Sequence, residues 1–197
     1  GIIRRRKRSK KDGAFQLAHT IRTPHGWVYS ADISTVRQSI ATGGGDDTVC
    51  VWKMSGELEY RLRADASGIN AVCFSPDGKV LAAGGDDGVV HIWLLPEAGE
   101  GETGVRHARL AGHSGWITSL AYTDSGRYLL SASFDATVRV WDLKRGECVS
   151  TLEGHDGPVS GVAFSGERCL TVGHDGTARV WTDAWMPWVR PRTTRHA

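Results

Sequence analysis

Four tryptophans, Trp52, Trp93, Trp141 and Trp181, each close a run of alternating β-branched residues, in "TVCVW", "GVVHIW", "TVRVW" and "TARVW". Successive spacings are 41, 48 and 40 residues. Six residues before each tryptophan stands an aspartate, Asp46, Asp87, Asp135 or Asp175, inside the turns "GGDDT", "GGDDG", "SFDAT" and "GHDGT". Ten residues before it stands Thr42, Ala83, Ser131 or Thr171. Period-two alternation bounded by Gly/Asp clusters is the pattern of short strands joined by tight turns. Further alternating runs end in "FSPDG" at 74–78, "YTDSG" at 122–126 and "FSGE" at 164–167, all turn-prone.

A period near 40 with four strand signals per period predicts an all-β propeller of four blades, each a four-stranded antiparallel sheet. The long spacing contains "PEAGEGETG" at 96–104, an acidic, glycine-rich insertion. Composition agrees: 25 glycines against 6 prolines suit tight turns, and a 40% apolar content suffices for a core. The formal charge of +2 hides an asymmetry, because seven of the 24 basic residues are Arg4, Arg5, Arg6, Lys7, Arg8, Lys10 and Lys11. The remainder is acidic. Cys50, Cys73, Cys148 and Cys169 form no C-x-x-C pair, so free buried thiols in a reducing compartment are expected rather than a disulfide framework. No apolar run approaches the roughly 20 residues that cross a bilayer.

With "GHSGWITSLAY…LLSASFDATVRVWD" and "GHDGPVSGVAF…CLTVGHDGTARVW" as its best copies, the chain resembles the WD-repeat β-propeller family over residues 15–182. The resemblance implies strands a, b, c and d running outward from the axis in blades near 24–63, 65–110, 113–152 and 155–182, with 14–22 an additional outer strand. Residues 1–13 are expected as a disordered basic tail or linker and 183–197 as an irregular C-terminal tail. It also implies a contact network through His113, Ser131, Asp135 and Trp141, repeated in His155, Thr171, Asp175 and Trp181. Thr42, Asp46 and Trp52 in blade one, and Asp87 and Trp93 in blade two, hold the matching positions. Alignment places Pro24 in the first histidine slot with His25 one position late, and Asp65 in the second, where Ala83 also lacks the hydroxyl. Blades three and four are therefore expected to be the locally stiffer pair.

A serine beside a histidine and an aspartate invites a hydrolase assignment, but a nucleophile must be singular and exposed, not repeated and ending on an indole. The histidines and cysteines have no metal-site spacing. "GGGDD" and "GGDDG" would repel phosphate through their carboxylates and lack a following P-loop lysine. No catalytic residue, metal or cofactor is expected. The expected function is a non-catalytic scaffold for protein or peptide partners, engaged on the face built by the d–a loops and b–c turns. Position matching puts Trp27 and Trp116 at the start of inner strands, and Asp86, Phe134 and His174 just before turn aspartates. These five are the partner-binding candidates.

The alternative is the sensing or regulatory region of a larger signalling enzyme or NTPase. A nucleic-acid contact through the basic run ranks lower, because no aromatic residue interleaves it. The cysteines favour a cytoplasmic location, and the basic run leaves a nuclear one open. The resemblance implies about six to eight blades around the axis, more than the four repeats present. A fragment of a longer propeller is the preferred account, ahead of two copies joined head to tail and of four blades closing alone. In the last two, strand 14–22 would complete blade four.

Overall fold

The computed structural model describes residues 2–8, 15–64, 66–96 and 105–182. Asp65, most of the acidic insertion and the C-terminal Trp185, Met186 and Trp188 lie outside them. Within the described residues every regular element is a strand: β1 (Ile2–Arg8), β2 (Phe15–Arg22), β3 (Val28–Ser34), β4 (Ser39–Gly44), β5 (Thr48–Lys53), β6 (Leu58–Arg63), β7 (Ile69–Phe74), β8 (Val80–Gly85) and β9 (Val89–Leu94). They continue as β10 (Val105–Ala111), β11 (Ile117–Tyr122), β12 (Tyr128–Ser133), β13 (Val138–Asp142), β14 (Glu147–Leu152), β15 (Val159–Ser165), β16 (Arg168–Gly173) and β17 (Ala178–Trp181).

Strands β3–β6, β7–β10 and β11–β14 form three antiparallel meanders of four strands, the first, second and third blades. The fourth blade, β15–β17, has three strands among the described residues. The sheets follow the sequence patterning; the residues after Trp181, which carry no strand alternation, supply no outer strand to the fourth within the described chain.

The basic run departs most from expectation. Ile2–Arg8 is strand β1, paired antiparallel with β2, and not a disordered tail. Its partner supplies the reason: once β2 stands at the flank of blade one, its free edge can satisfy the backbone of a segment whose side chains alone would favour solvent. The pair slips register between Arg5 and Arg6. The c–d pairs of blades one and three slip at the same place, between Val51 and Trp52 and between Val140 and Trp141. Thus β1 and β2 repeat the geometry of strands c and d, with Arg6 in the tryptophan position. Strand β2 pairs with β1 rather than completing blade four.

Each blade contributes two apolar faces. One joins Ala41, Val49, Val51 and Tyr60 of blade one to Ile69, Phe74, Leu81 and Trp93 of blade two. The next joins Ala82, Val90 and Ile92 to Ile117, Leu120, Leu129 and Trp141. The third joins Leu130, Val138 and Val140 to Val159, Val162 and Cys169. In each, the later blade's tryptophan faces the sheet before it. Trp52 obeys the same rule, packing with Ile40, Cys50 and Ile21 of β2. The thiols are free, as expected, with Cys50 and Cys169 buried.

Close approach fixes small residues at one point of each interface. A Cβ on Gly43 would lie 2.4 Å from Ile69 Cγ2, and one on Gly84 would lie 2.4 Å from Ile117 Cγ2. Blade three has Ala132 there, fully buried, whereas Val172 of blade four is 38% exposed and meets no following sheet among the described residues. Inner strands are also stitched between blades. Phe74 N–H donates to Asp32 Oδ2 at 2.7 Å and Val72 N–H to Ser30 Oγ at 3.1 Å.

Candidate functional site

In blade three the buried polar chain is complete. Asp135 Oδ2 lies 2.7 Å from His113 Nδ1, and His113 Nε2 lies 2.8 Å from Ser131 Oγ. Trp141 Nε1 donates to the same oxygen at 2.8 Å. Burial lowers the His113 pKa, against the raising effect of its hydrogen bond to Asp135, so the ring is neutral at neutral pH. A carboxylate only accepts, so Nδ1–H donates to Asp135, Nε2 accepts from the Ser131 hydroxyl, and that hydroxyl accepts from the indole. One direction of donation runs from Trp141 to Asp135. Ser131 is fully buried, hence unable to attack a substrate, which removes the hydrolase geometry.

Blade four repeats the contacts, with His155 Nδ1 2.8 Å from Asp175 Oδ2, Nε2 2.8 Å from Thr171 Oγ1, and Trp181 Nε1 donating to Thr171 at 2.9 Å. The carboxylates also tie down their own turns. Thr137 N–H and Oγ1–H donate to Asp135 Oδ1 at 3.0 and 2.7 Å.

Blade one corrects the alignment. His25, not Pro24, occupies the histidine position: its Nδ1 lies 2.7 Å from Asp46 Oδ1 and its Nε2 3.0 Å from Thr42 Oγ1, which accepts from Trp52 Nε1 at 3.0 Å. The loop from histidine to the inner strand is one residue shorter than in blade three. It closes because Trp27 N–H donates to His25 O at 2.7 Å around Gly26, whose φ of 68° suits glycine. Only blade two departs. Ala83 supplies no hydroxyl, and the buried ring beside Asp87 comes from His91 on β9, whose Nε2 lies 2.8 Å from Asp87 Oδ2. Its ring stacks on Trp93 at 5.9 Å between centroids. His91 was missed because it lies on strand c itself rather than in the preceding loop. The usable signal was its spacing, two residues before Trp93 and so on the same sheet face.

These networks make stability acid-sensitive. Burial depresses the pKa of His113 and of His91 against the pull of Asp135 and Asp87, so between the ordinary value of 6.5 and the folded values the unfolded chain binds protons first. Burial would raise Asp46, Asp135 and Asp175, but hydrogen bonds from His25, Thr137 and Thr177 with their neighbours outweigh it, holding all three below 3.8. That contribution is present above 3.8 and is lost as pH falls through the folded values. Urea midpoints are therefore expected to be flat from about pH 7 to 8, before the unfolded thiols ionise ahead of buried Cys50, Cys73 and Cys169, and to decline on acidification, first with the histidines, then with the carboxylates. A midpoint that rises between pH 7 and 5.5 would refute the assignment of neutral buried imidazoles.

The same loops and turns build an exposed face. Gly45, Asp86, Phe134 and His174 each donate their N–H to the inner-strand carbonyl opposite, of Trp27, Gly68, Trp116 and Pro158, at 3.0, 3.2, 2.9 and 2.8 Å. Each turn is thereby locked to the loop beside it. Trp27 is 74% exposed, Trp116 54% and Phe134 50%, so none of the three is core. Trp116 and Phe134 have centroids 5.7 Å apart, and Phe134 meets His174 edge-on at 6.4 Å. This makes a continuous aromatic row across blades three and four. Asp86 is half-buried and accepts from Asn70 Nδ2 at 2.8 Å. Trp27 stands apart on blade one. Among the described residues no group of His, Cys, Asp and Glu could hold a metal ion, and no helix is long and apolar enough to cross a membrane.

Repeated sheets pinned by an aspartate–histidine–hydroxyl–tryptophan chain define a WD-type β-propeller. The chain belongs to the family described as WD domain, G-beta repeat, which matches residues 15–53, 56–93, 104–142 and 146–182. Each matched repeat thus begins with strand d of one sheet and ends with strand c of the next. The chain is 30% identical over 168 residues to a chromatin assembly factor 1 subunit FAS2 homolog of Oryza sativa subsp. japonica, covering 79% of this chain and 33% of that protein. It is 32% identical over 169 residues to a chromatin assembly factor 1 subunit of Gallus gallus, covering 72% and 30%. Protein HIR1 of Kluyveromyces lactis is 28% identical over 184 residues, covering 78% and 21%. The chain therefore spans about a third or less of the length of these relatives. Two of the three are named for chromatin assembly, and these names give the cytoplasmic expectation drawn from the cysteines no support: a reducing environment is shared by nucleus and cytoplasm, so free thiols do not distinguish them.

Proposed function

We propose that this protein is a non-catalytic scaffold that holds protein or peptide partners on the face of the d–a loops and b–c turns, and that it works in the nucleus, in chromatin assembly. The exposed aromatic row Trp116–Phe134–His174, presented on turns already fixed by backbone hydrogen bonds, carries the proposal. Preordered side chains lose little entropy when a partner covers them, and aromatic groups dominate interface energetics once desolvated. The alternative of a regulatory region within a larger signalling enzyme or NTPase draws no support from these relatives' names. The basic run, placed on a strand, is not needed for the scaffold role.

The test is affinity capture from nuclear and cytosolic extracts, with proteins identified by mass spectrometry. Wild-type protein is expected to enrich a reproducible nuclear set. Trp116→Ala with Phe134→Ala is expected to reduce that capture by at least about tenfold, equivalent to roughly 1.4 kcal/mol or more of binding, while leaving the melting temperature unchanged. Loss of folding in the double variant would instead make the pair structural, and undiminished capture would move the interface elsewhere.

A further inference from the structure

We propose that the cavity where the second and third blades meet takes a single lysine or arginine side chain of a protein partner. The proposal rests on the binding face described above and names the chemistry it selects. The cavity has a volume of about 330 Å³ and is lined by Asp86, Asp87 and Gly88 from the b–c turn of blade two, and by the His113–Trp116 loop and Phe134 from blade three. That volume lies at the small end of ligand sites, which run from roughly 300 to 1,000 Å³, and suits one long side chain.

Its walls differ in character. On one side stand two carboxylates: Asp86, half-buried, and Asp87, whose side chain is 20% exposed and whose Oδ2 accepts from His91 Nε2. On the other stand the half-exposed rings of Trp116 and Phe134, tilted at 43° to one another. No lysine or arginine lines the cavity. His113 adds no charge, since burial keeps its ring neutral and Nδ1 faces Asp135. An anionic group would meet like charge. A purely apolar group would strip water from the carboxylates without replacing it. A long aliphatic stem ending in a cation satisfies both walls, through charge pairing with Asp86 and Asp87 and cation–π contact with the rings.

The combination occurs at one blade junction among the described residues. Where blades one and two meet, the matching positions are Gly45 and Gly68; where three and four meet, they are Phe134 and Pro158. Only Asp86 opposite Trp116 sets a carboxylate against an aromatic ring. The walls are also held in place. A Cβ on Gly88 would lie 2.9 Å from Gly115 O and 3.0 Å from His113 O, so the acidic turn sits directly against the aromatic loop. Ser133 Oγ–H donates to Gly115 O at 3.0 Å and Phe134 N–H to Trp116 O at 2.9 Å, fixing the other side.

The probe is a set of degenerate peptides with a fixed central residue, lysine, arginine, norleucine or glutamate, measured by fluorescence anisotropy on the full chain. Binding is expected for the lysine and arginine sets, weakening with salt, and at least about tenfold weaker for norleucine, which keeps the stem and loses the charge. Asp86→Asn is expected to abolish the lysine-over-norleucine preference with the melting temperature unchanged, and Trp116→Ala to weaken both sets. If norleucine binds as well as lysine, or Asp86→Asn leaves the preference intact, the cationic assignment falls while an aromatic binding face survives. If no set binds and capture from nuclear extract is indifferent to Trp116 and Phe134, both fall together.

Discussion

Trp141→Ala is expected to destabilise the protein by about 3–5 kcal/mol, the range for removing a large buried aromatic side chain. The indole is nearly fully buried in the interface between blades two and three. Its removal leaves a cavity between two sheets and takes the donor from Ser131 Oγ, the hinge of the chain that runs to Asp135. In an array where each blade touches only its neighbours, weakening one interface opens the array there. Amides of β7–β14 should lose exchange protection before those of β3–β5. Trp181→Ala provides the contrast: it makes the same hydrogen bond to Thr171 but sits only partly buried against blade three, so its loss should cost less than half as much. Equal losses at the two positions in chemical denaturation would contradict the account of the tryptophans as interface residues.

Gly84→Val is the second large effect, a loss of about 3 kcal/mol, at the upper end for overpacking. The new Cβ would fall 2.4 Å from Ile117 Cγ2 and 2.6 Å from its Cβ, and Ile117 is fully buried and β-branched, so neither its tip nor its χ1 can yield. The sheets themselves must separate. Valine stands at the matching position of blade four, Val172, which is 38% exposed and faces no further sheet among the described residues, so Val172→Gly should change stability far less. A Gly84→Val protein melting at the wild-type temperature would show that blades two and three are not packed as closely as described.

Much of this was legible because the governing forces are local. Alternation in "TVRVW" and the turn in "SFDAT" specify a hairpin whatever surrounds them, and an aspartate six residues before a tryptophan fixes which strands flank that turn. The exposed position of Phe134 also followed from its place at a turn tip, whereas the offsets of Trp27 and Trp116 left an interblade core position equally open, and only the packed sheets show both exposed.

What failed depended on distances between segments. The position of His25 rests on a loop shortened by one residue and closed around Gly26, and a linear alignment penalises such a gap without seeing that a tight turn absorbs it. His91, paired with Ala83 across the sheet, reaches Asp87 in the one blade where that position supplies no hydroxyl. Ile2–Arg8 has the composition of a solvated tail and becomes a strand only because β2 offers it an edge.

The order of amino acids alone determined the repeat, the all-β character and the four indole–carboxylate pairs, because each arises within about ten residues of chain. Tertiary structure decided which histidine serves which blade, that the basic run enters a sheet, and that Asp86 comes to face Trp116 and Phe134 across a cavity. Those outcomes depend on two blades meeting, and the packing that brings them together is set by the volumes facing across the interface, which no single stretch of sequence contains.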